Sequence, residues 1–81
     1  MKTRYSRSAQ RALLRSNKRT LIAEKIEALS EDPLALNANI TRLQGREEYR
    51  LRVQDWRVIF RVEDDVLWID DIGPRGSIYE R

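Results

Sequence analysis

Arg50, Arg52 and Arg57 are the residues whose type and spacing point most directly to chemistry. They lie in one short stretch, Tyr49-Arg50-Leu51-Arg52-Val53-Gln54-Asp55-Trp56-Arg57-Val58-Ile59-Phe60-Arg61. With Gln54-Asp55 as a two-residue turn, a period of two pairs Val53 with Trp56, Leu51 with Val58 and Tyr49 with Phe60. Those six side chains form one apolar face, as a sheet lying on a core requires. Arg50, Arg52, Arg57, Ile59 and Arg61 share the other face. In this register Arg52 stands directly opposite Arg57, with Arg50 nearby. Like charges facing each other across a ladder cost roughly 0.2–1 kcal/mol per pair. Selection for stability alone would remove them. A site for a phosphate would keep them, because the guanidinium fork matches anionic oxygens and a bound anion reverses the local field.

The rest of the composition narrows the chemistry. The chain has 81 residues, 36% of them charged and 41% hydrophobic, which allows one small domain, residues 1–81, with a modest core. It has no cysteine and no histidine. A disulfide framework, a thiolate metal site, a cysteine nucleophile and the commonest general acid–base are therefore excluded. Catalysis would have to use carboxylates, tyrosine or the cationic groups, and the sequence calls for no cofactor and no metal. Of 16 basic residues 13 are arginine, a bias that suits nucleic-acid recognition. The segment 62–73 carries the opposite sign, with Glu63, Asp64, Asp65, Asp70 and Asp71 and no base. No N-terminal apolar stretch has the length of a signal peptide or a membrane span, so we expect a cytoplasmic protein with no membrane partner.

The elements that must position the arginines can be read in chain order. Thr3-Arg4-Tyr5 predicts a brief strand joining the sheet. Ser8 is a candidate cap for a first helix, with Ala9, Ala12 and Leu13 at helical spacing. Asn17-Lys18 interrupts, and Ile22, Ile26 and Leu29 form the apolar stripe of a second helix that closes before Pro33. Residues 33–48 predict an ordered loop of about 12–16 residues, longer than most connections. Glu63-Asp64-Asp65 reads as a turn. Val66-Leu67-Trp68-Ile69 predicts an interior strand ended by Asp70-Asp71-Ile72, and Ser77-Ile78-Tyr79 a short final one. The fold expected is α+β: an N-terminal strand, a helical hairpin, then a three- to four-stranded antiparallel sheet in the order β-α-α-β-β-β.

Leu43-Gln44-Gly45, Tyr49-Arg50-Leu51-Arg52-Val53 and Asp55-Trp56-Arg57-Val58-Ile59-Phe60 together resemble the RelE/ParE toxin superfamily of bacterial type II toxin–antitoxin systems, RelE-like branch. Ile72-Gly73-Pro74-Arg75 and Ile78-Tyr79 resemble its closing motif, so the likeness spans nearly the whole chain. It implies a metal-independent endoribonuclease, an mRNA interferase cutting messenger RNA in the ribosomal A site. The ribose 2′-hydroxyl attacks the adjacent phosphate, and translation stops. The implied partners are a cognate antitoxin, the ribosome and mRNA, and, through the antitoxin, operator DNA. Residue by residue, Arg50 and Arg52 match the paired basic positions, Arg57 the phosphate-binding arginine and Arg75 the arginine proposed as proton donor. Tyr79 matches the tyrosine proposed as base or stacking group. Several cations nearby would lower a phenol's pKa from its ordinary value near 10. Pro74 stands where many members have histidine and others lysine.

Blander roles compete for several of these residues. Arg61 reads as a solvated outward side chain, and Trp56 and Trp68 as packing residues. Asp70 and Asp71 should point to opposite faces, which disfavours a paired-carboxylate metal site. Arg7, Arg11, Arg15, Lys18 and Arg19 read as a solvated helix face that can also touch nucleic-acid backbone. Two rival functions stand beside the nuclease. One is a ParE-type inhibitor of DNA gyrase, whose members generally lack the basic constellation. The other is a non-catalytic nucleic-acid-binding module.

Overall fold

The computed structural model describes residues 1–77. Strand β1 (Lys2–Tyr5) leads into helices α1 (Arg7–Arg15) and α2 (Arg19–Glu31). Strands β2 (Ile40–Arg42), β3 (Tyr49–Val53), β4 (Trp56–Glu63) and β5 (Val66–Pro74) follow. They form a five-stranded sheet in the order β1-β5-β4-β3-β2, antiparallel except for β1, which runs parallel to β5. The α+β architecture expected from the sequence is present, its four antiparallel strands within the three to four anticipated and one beyond the β-α-α-β-β-β order.

That extra strand lies where a loop was expected. Residues 33–48 hold a 3-10 helix, Pro33–Asn39, and then β2, whose Ile40, Thr41 and Arg42 pair with Leu51, Arg50 and Tyr49. Pro33 occupies the first position of the 3-10 helix, where a missing N–H costs nothing, and the Asp32 carboxylate accepts from the Leu34 N–H at 3.2 Å. Nothing in the hydrophobic pattern distinguishes such a tight helix and a three-residue edge strand from a loop.

Ile22, Ile26 and Leu29 of α2 are fully buried, as their spacing predicts. The cap of α1 is Ser6 and not Ser8: the Ser6 Oγ accepts from the Ala9 N–H at 3.0 Å. The same hydroxyl donates to the Asp70 carbonyl at 2.8 Å, and the Ser6 N–H donates to the Ile69 carbonyl at 2.9 Å. One serine thus fixes the start of α1 against β5. Both helices pack on the sheet face carrying Leu51, Val53, Val58, Phe60, Leu67, Ile69 and Ile72. Across β3 and β4 the Tyr49 and Phe60 rings stack with centroids 5.6 Å apart, a favourable cross-strand pair.

The β3–β4 register matches the expected one at every position, including Arg52 opposite Arg57. The turn has Gln54 at φ 54°. In the β4–β5 turn both Asp64 and Asp65 have positive φ, 54° and 60°, the conformation whose twist suits a tight hairpin. Strand β5 does not stop at Ile69. A β-bulge carries it on: Ile59 pairs with Asp71 but Phe60 with Ile69, leaving Asp70 as the extra residue. Among the described residues no helix is long and apolar enough to cross a membrane.

Candidate nucleic-acid interface

Alternation along β3, β4 and β5 puts Arg50, Arg52, Arg57, Ile59, Arg61, Trp68 and Asp71 on the face turned away from the helices. Ladder pairing arranges them in rows. At the hairpin end lie Arg52, Arg57 and Gly73; next come Thr41, Arg50, Ile59 and Asp71; then Arg61 and Trp68, reached from β1 by Arg4.

The hairpin row is the cationic one. Arg52 is exposed, and Arg57 beside it is buried, at 6% exposure. One Arg57 nitrogen, Nη1, donates to the Gln54 carbonyl at 2.7 Å and to the Trp56 carbonyl at 2.9 Å. Arg57 therefore holds the turn closed as well as placing a charge beneath it. Strand β5 brings the closing motif to the same end. Pro74 pairs with Trp56, and the Arg75 N–H donates to the Asp55 carbonyl at 2.6 Å. Arg75 is exposed, and no ion pair engages Arg52 or Arg75 among the described residues. Of the expected site residues, Arg52, Arg57 and Arg75 converge on the hairpin turn. Arg50 stands half-buried one row away. Tyr79 lies outside the described residues, as does the final strand expected from Ile78 onward.

The row beyond Arg50 has the opposite character. Arg61, read from the sequence as a solvated side chain, is held on several sides. Its Nε donates to Asp70 Oδ2 at 3.0 Å, its Nη1 donates to Glu63 Oε1 at 3.1 Å, and its guanidinium lies 5.1 Å from the Trp68 ring centre. Glu48 completes the group, bonded to Arg46 on one side and hydrogen-bonded with Asp70 on the other. Burial, then the hydrogen bond with Glu48, pushes the Asp70 carboxyl up from 3.8 to about 6. The hydrogen bond from Asp70 holds Glu48 below its ordinary value. Asp70 and Asp71 do not point to opposite faces, because the bulge interrupts the alternation: Asp71 pairs beside Ile59, and Asp70 reaches Arg61. Sequence reasoning missed this cluster. The signal was present in the spacing of Leu67, Ile69 and Ile72, which lengthens from two to three at the acidic pair.

A five-stranded sheet with helices on one face and a cationic hairpin on the other defines a small α+β domain. Residues 3–79 match the family model described as the ParE toxin of the type II toxin–antitoxin system, parDE, and the chain belongs to that family, within the RelE/ParE superfamily. Solved structures share the fold. A chain of the archaeal RelE-RelB complex from Pyrococcus horikoshii OT3 superposes with TM-score 0.78 at 26% identity, covering 94% of this chain and 96% of that one. YafQ from E. coli strain BL21(DE3) gives TM-score 0.78 at 19% identity, with 95% and 96% covered. The intact E. coli RelBE toxin-antitoxin complex gives 0.72 at 20% identity, with 90% and 94% covered. Among curated proteins none matches the sequence significantly.

Proposed function

We propose that the protein is a ribosome-dependent mRNA endoribonuclease of the cytoplasm, neutralised by a cognate antitoxin. The observation that carries this is the convergence of Arg52, Arg57 and Arg75 on one hairpin turn, with Arg50 one row behind. Cleavage of a phosphodiester by its own 2′-hydroxyl forms an O2′–P bond, breaks the P–O5′ bond and leaves a 2′,3′-cyclic phosphate. Negative charge grows on the nonbridging oxygens in the transition state, and preorganised cations in a partly desolvated site lower that barrier. Arg57 is preorganised by the two carbonyls it binds, while Arg52 and Arg75 offer free donors to the phosphate and to the departing 5′-oxygen. Arginine stays protonated above pH 12, so Arg75 serves better by holding charge at that oxygen than by giving up a proton. Tyr79 is the proposed base for the 2′-hydroxyl proton. The antitoxin partner follows from the family and from the complexes formed by RelE-RelB and RelBE.

Purified protein, ribosomes and a defined transcript test this by primer extension and by the chemistry of the new 3′ end. Cleavage within the A-site codon, cyclic phosphate product and a loss of roughly 10²–10³-fold with Arg52→Ala are expected. The family model, named for ParE toxins, favours one alternative, inhibition of DNA gyrase. Intact transcripts together with blocked supercoiling would replace the nuclease by that inhibitor.

A further inference from the structure

Helix α2 carries its charges against its own dipole. Its N-cap is Lys18, with no side-chain cap bond, Arg19 follows, and no acid stands in the first turn. Its last turn has no base, and Glu31 and the C-cap Asp32 stand there instead. Both arrangements weaken a helix, because the N-terminal end is the positive one. Each end also adjoins exposed apolar surface. Beside the N-terminus, Leu14 of α1 is 63% exposed and with Leu13 and Ala23 lines a cleft of about 390 Å³. Exposed Arg11, Arg15, Lys18 and Arg19 surround Leu14 in the chain, with Glu24 and Glu27 on the α2 side of the cleft. Beside the C-terminus, Leu34 and Val62, 82% and 51% exposed, border a groove of about 390 Å³ lined also by Leu29, Ile40, Tyr49 and Phe60. Exposed Glu31 and Asp32 precede it on one side, and Asp64 and Asp65 follow Val62 on the other. The cations at this end are Lys2, Arg42 and the Met1 ammonium, which donates to the Ser30 carbonyl at 3.0 Å. Neither the four bases around Leu14 nor the four acids around the groove enter an ion pair with another described residue. Apart from Met1, every large apolar side chain exposed among the described residues belongs to one of these two patches.

We propose that the groove receives Leu14 of a second copy of this chain, so that neighbouring copies bring unlike ends of α2 together. The bases around Leu14 then meet the acids around the groove. The negative end of one α2 faces the positive end of the next, which offsets the unfavourable charge placement of a lone copy. Burial of Leu14, Leu34 and Val62 supplies the attraction, and the charges set the orientation. Pairing each patch with its own kind would set bases against bases or acids against acids. The contact between unlike patches either repeats along a chain of copies or closes into a pair in which a two-fold relates two such contacts. The groove lies on the helix-bearing face, at the end of β4 away from the hairpin turn. The arginines of the open face stay uncovered, and the proposal stands apart from the nuclease reading.

Sedimentation velocity on the full-length chain, with no RNA present, tests this. Wild type should associate reversibly, and raising the salt from about 0.05 M to about 0.5 M should weaken the association by roughly tenfold. Leu14→Asp and Leu34→Lys each change an exposed side chain, so both should keep the wild-type far-ultraviolet spectrum. Each alone should sediment as a monomer. An equimolar mixture should regain a two-copy species, because the first variant keeps the groove and the second keeps Leu14. Monomeric wild type up to about 1 mM would overturn the proposal. So would folded variants that associate as wild type does, or a mixture that stays monomeric. Amide shifts at Leu34 and Val62 on addition of an antitoxin, in a wild type that is otherwise monomeric, would give the groove to that partner instead.

Discussion

Replacing Asp70 by asparagine removes the one carboxyl on the sheet's open face that is pushed up to about 6. In the folded protein Asp70 titrates at about 6 instead of 3.8, raised by burial and by its hydrogen bond with Glu48. Folding therefore takes up a proton between those two values, and the stability it confers is present at low pH and lost as pH rises through about 6. Glu48 runs the other way. Held below its ordinary 4.5, it contributes stability that is lost only as pH falls beneath that value. Above pH 4.5 the Asp70 effect stands alone, and the chain has no histidine to titrate in the same window.

A shift of this size corresponds to at most about 3 kcal/mol at roughly 1.4 kcal/mol per pH unit. The Asp70 side chain keeps 24% of its surface in water, and solvent screening reduces the expected effect to roughly 1 kcal/mol. Asparagine retains the volume and a donor for Glu48 but cannot ionise. Urea unfolding followed by tryptophan fluorescence at several pH values from 4.5 to 7.5 gives the comparison directly. Wild type should lose roughly 1 kcal/mol across that range while Asp70→Asn stays nearly level. Parallel profiles for the two proteins would refute the reasoning, since they would leave Asp70 with no proton of its own to release.

The hairpin arginines should separate charge from architecture. Arg52→Thr removes an exposed cation facing Arg57, so it should raise stability by up to about 1 kcal/mol in urea titrations while abolishing growth arrest on induction. Arg57→Ala should instead destabilise by roughly 2–4 kcal/mol, because two carbonyls of the turn lose a charged donor, and its loss of toxicity would then report folding as much as function. Ser6→Ala removes the cap of α1 and the bond to the Asp70 carbonyl together. A loss of about 1–3 kcal/mol by thermal or urea unfolding is expected.

Where one face of an element is buried, the sequence is explicit. Leu51, Val53, Val58 and Phe60 alternate with polar positions, so a slip of one residue would expose the whole set, and the β3–β4 register follows from composition alone. Ile22, Ile26 and Leu29 specify the inward face of α2 in the same way. Legibility fails where the determinant is a hydrogen bond between distant segments. Ser6 and Ser8 are equivalent as local caps, and only the carbonyls of Ile69 and Asp70, far along the chain, favour Ser6. The bulge at Asp70 is likewise a tertiary matter, and with it went the partners of Arg61. The arginine cluster was readable because like charges opposed in a register fixed by the apolar face form an anomaly that local stability does not explain.

Most carboxylates of the open face are gathered at the end of the sheet away from the hairpin turn. Asp70 and Glu63 hold Arg61, Glu48 joins Arg46 and Asp70, and Asp71 stands in the row of Ile59. The β5 residue that pairs with Arg57 is Gly73, which has no side chain to offer. Continuing β5 without the bulge would slide its acidic pair by one position relative to β4 and change which row each carboxylate meets. The bulge gathers acids around Arg61, where they stabilise the far end of the sheet, and among the described residues no ion pair engages Arg52 or Arg75. Opposed guanidinium groups at the hairpin cost the fold a fraction of its stability, and under the proposed nuclease function an RNA phosphate would offset that cost.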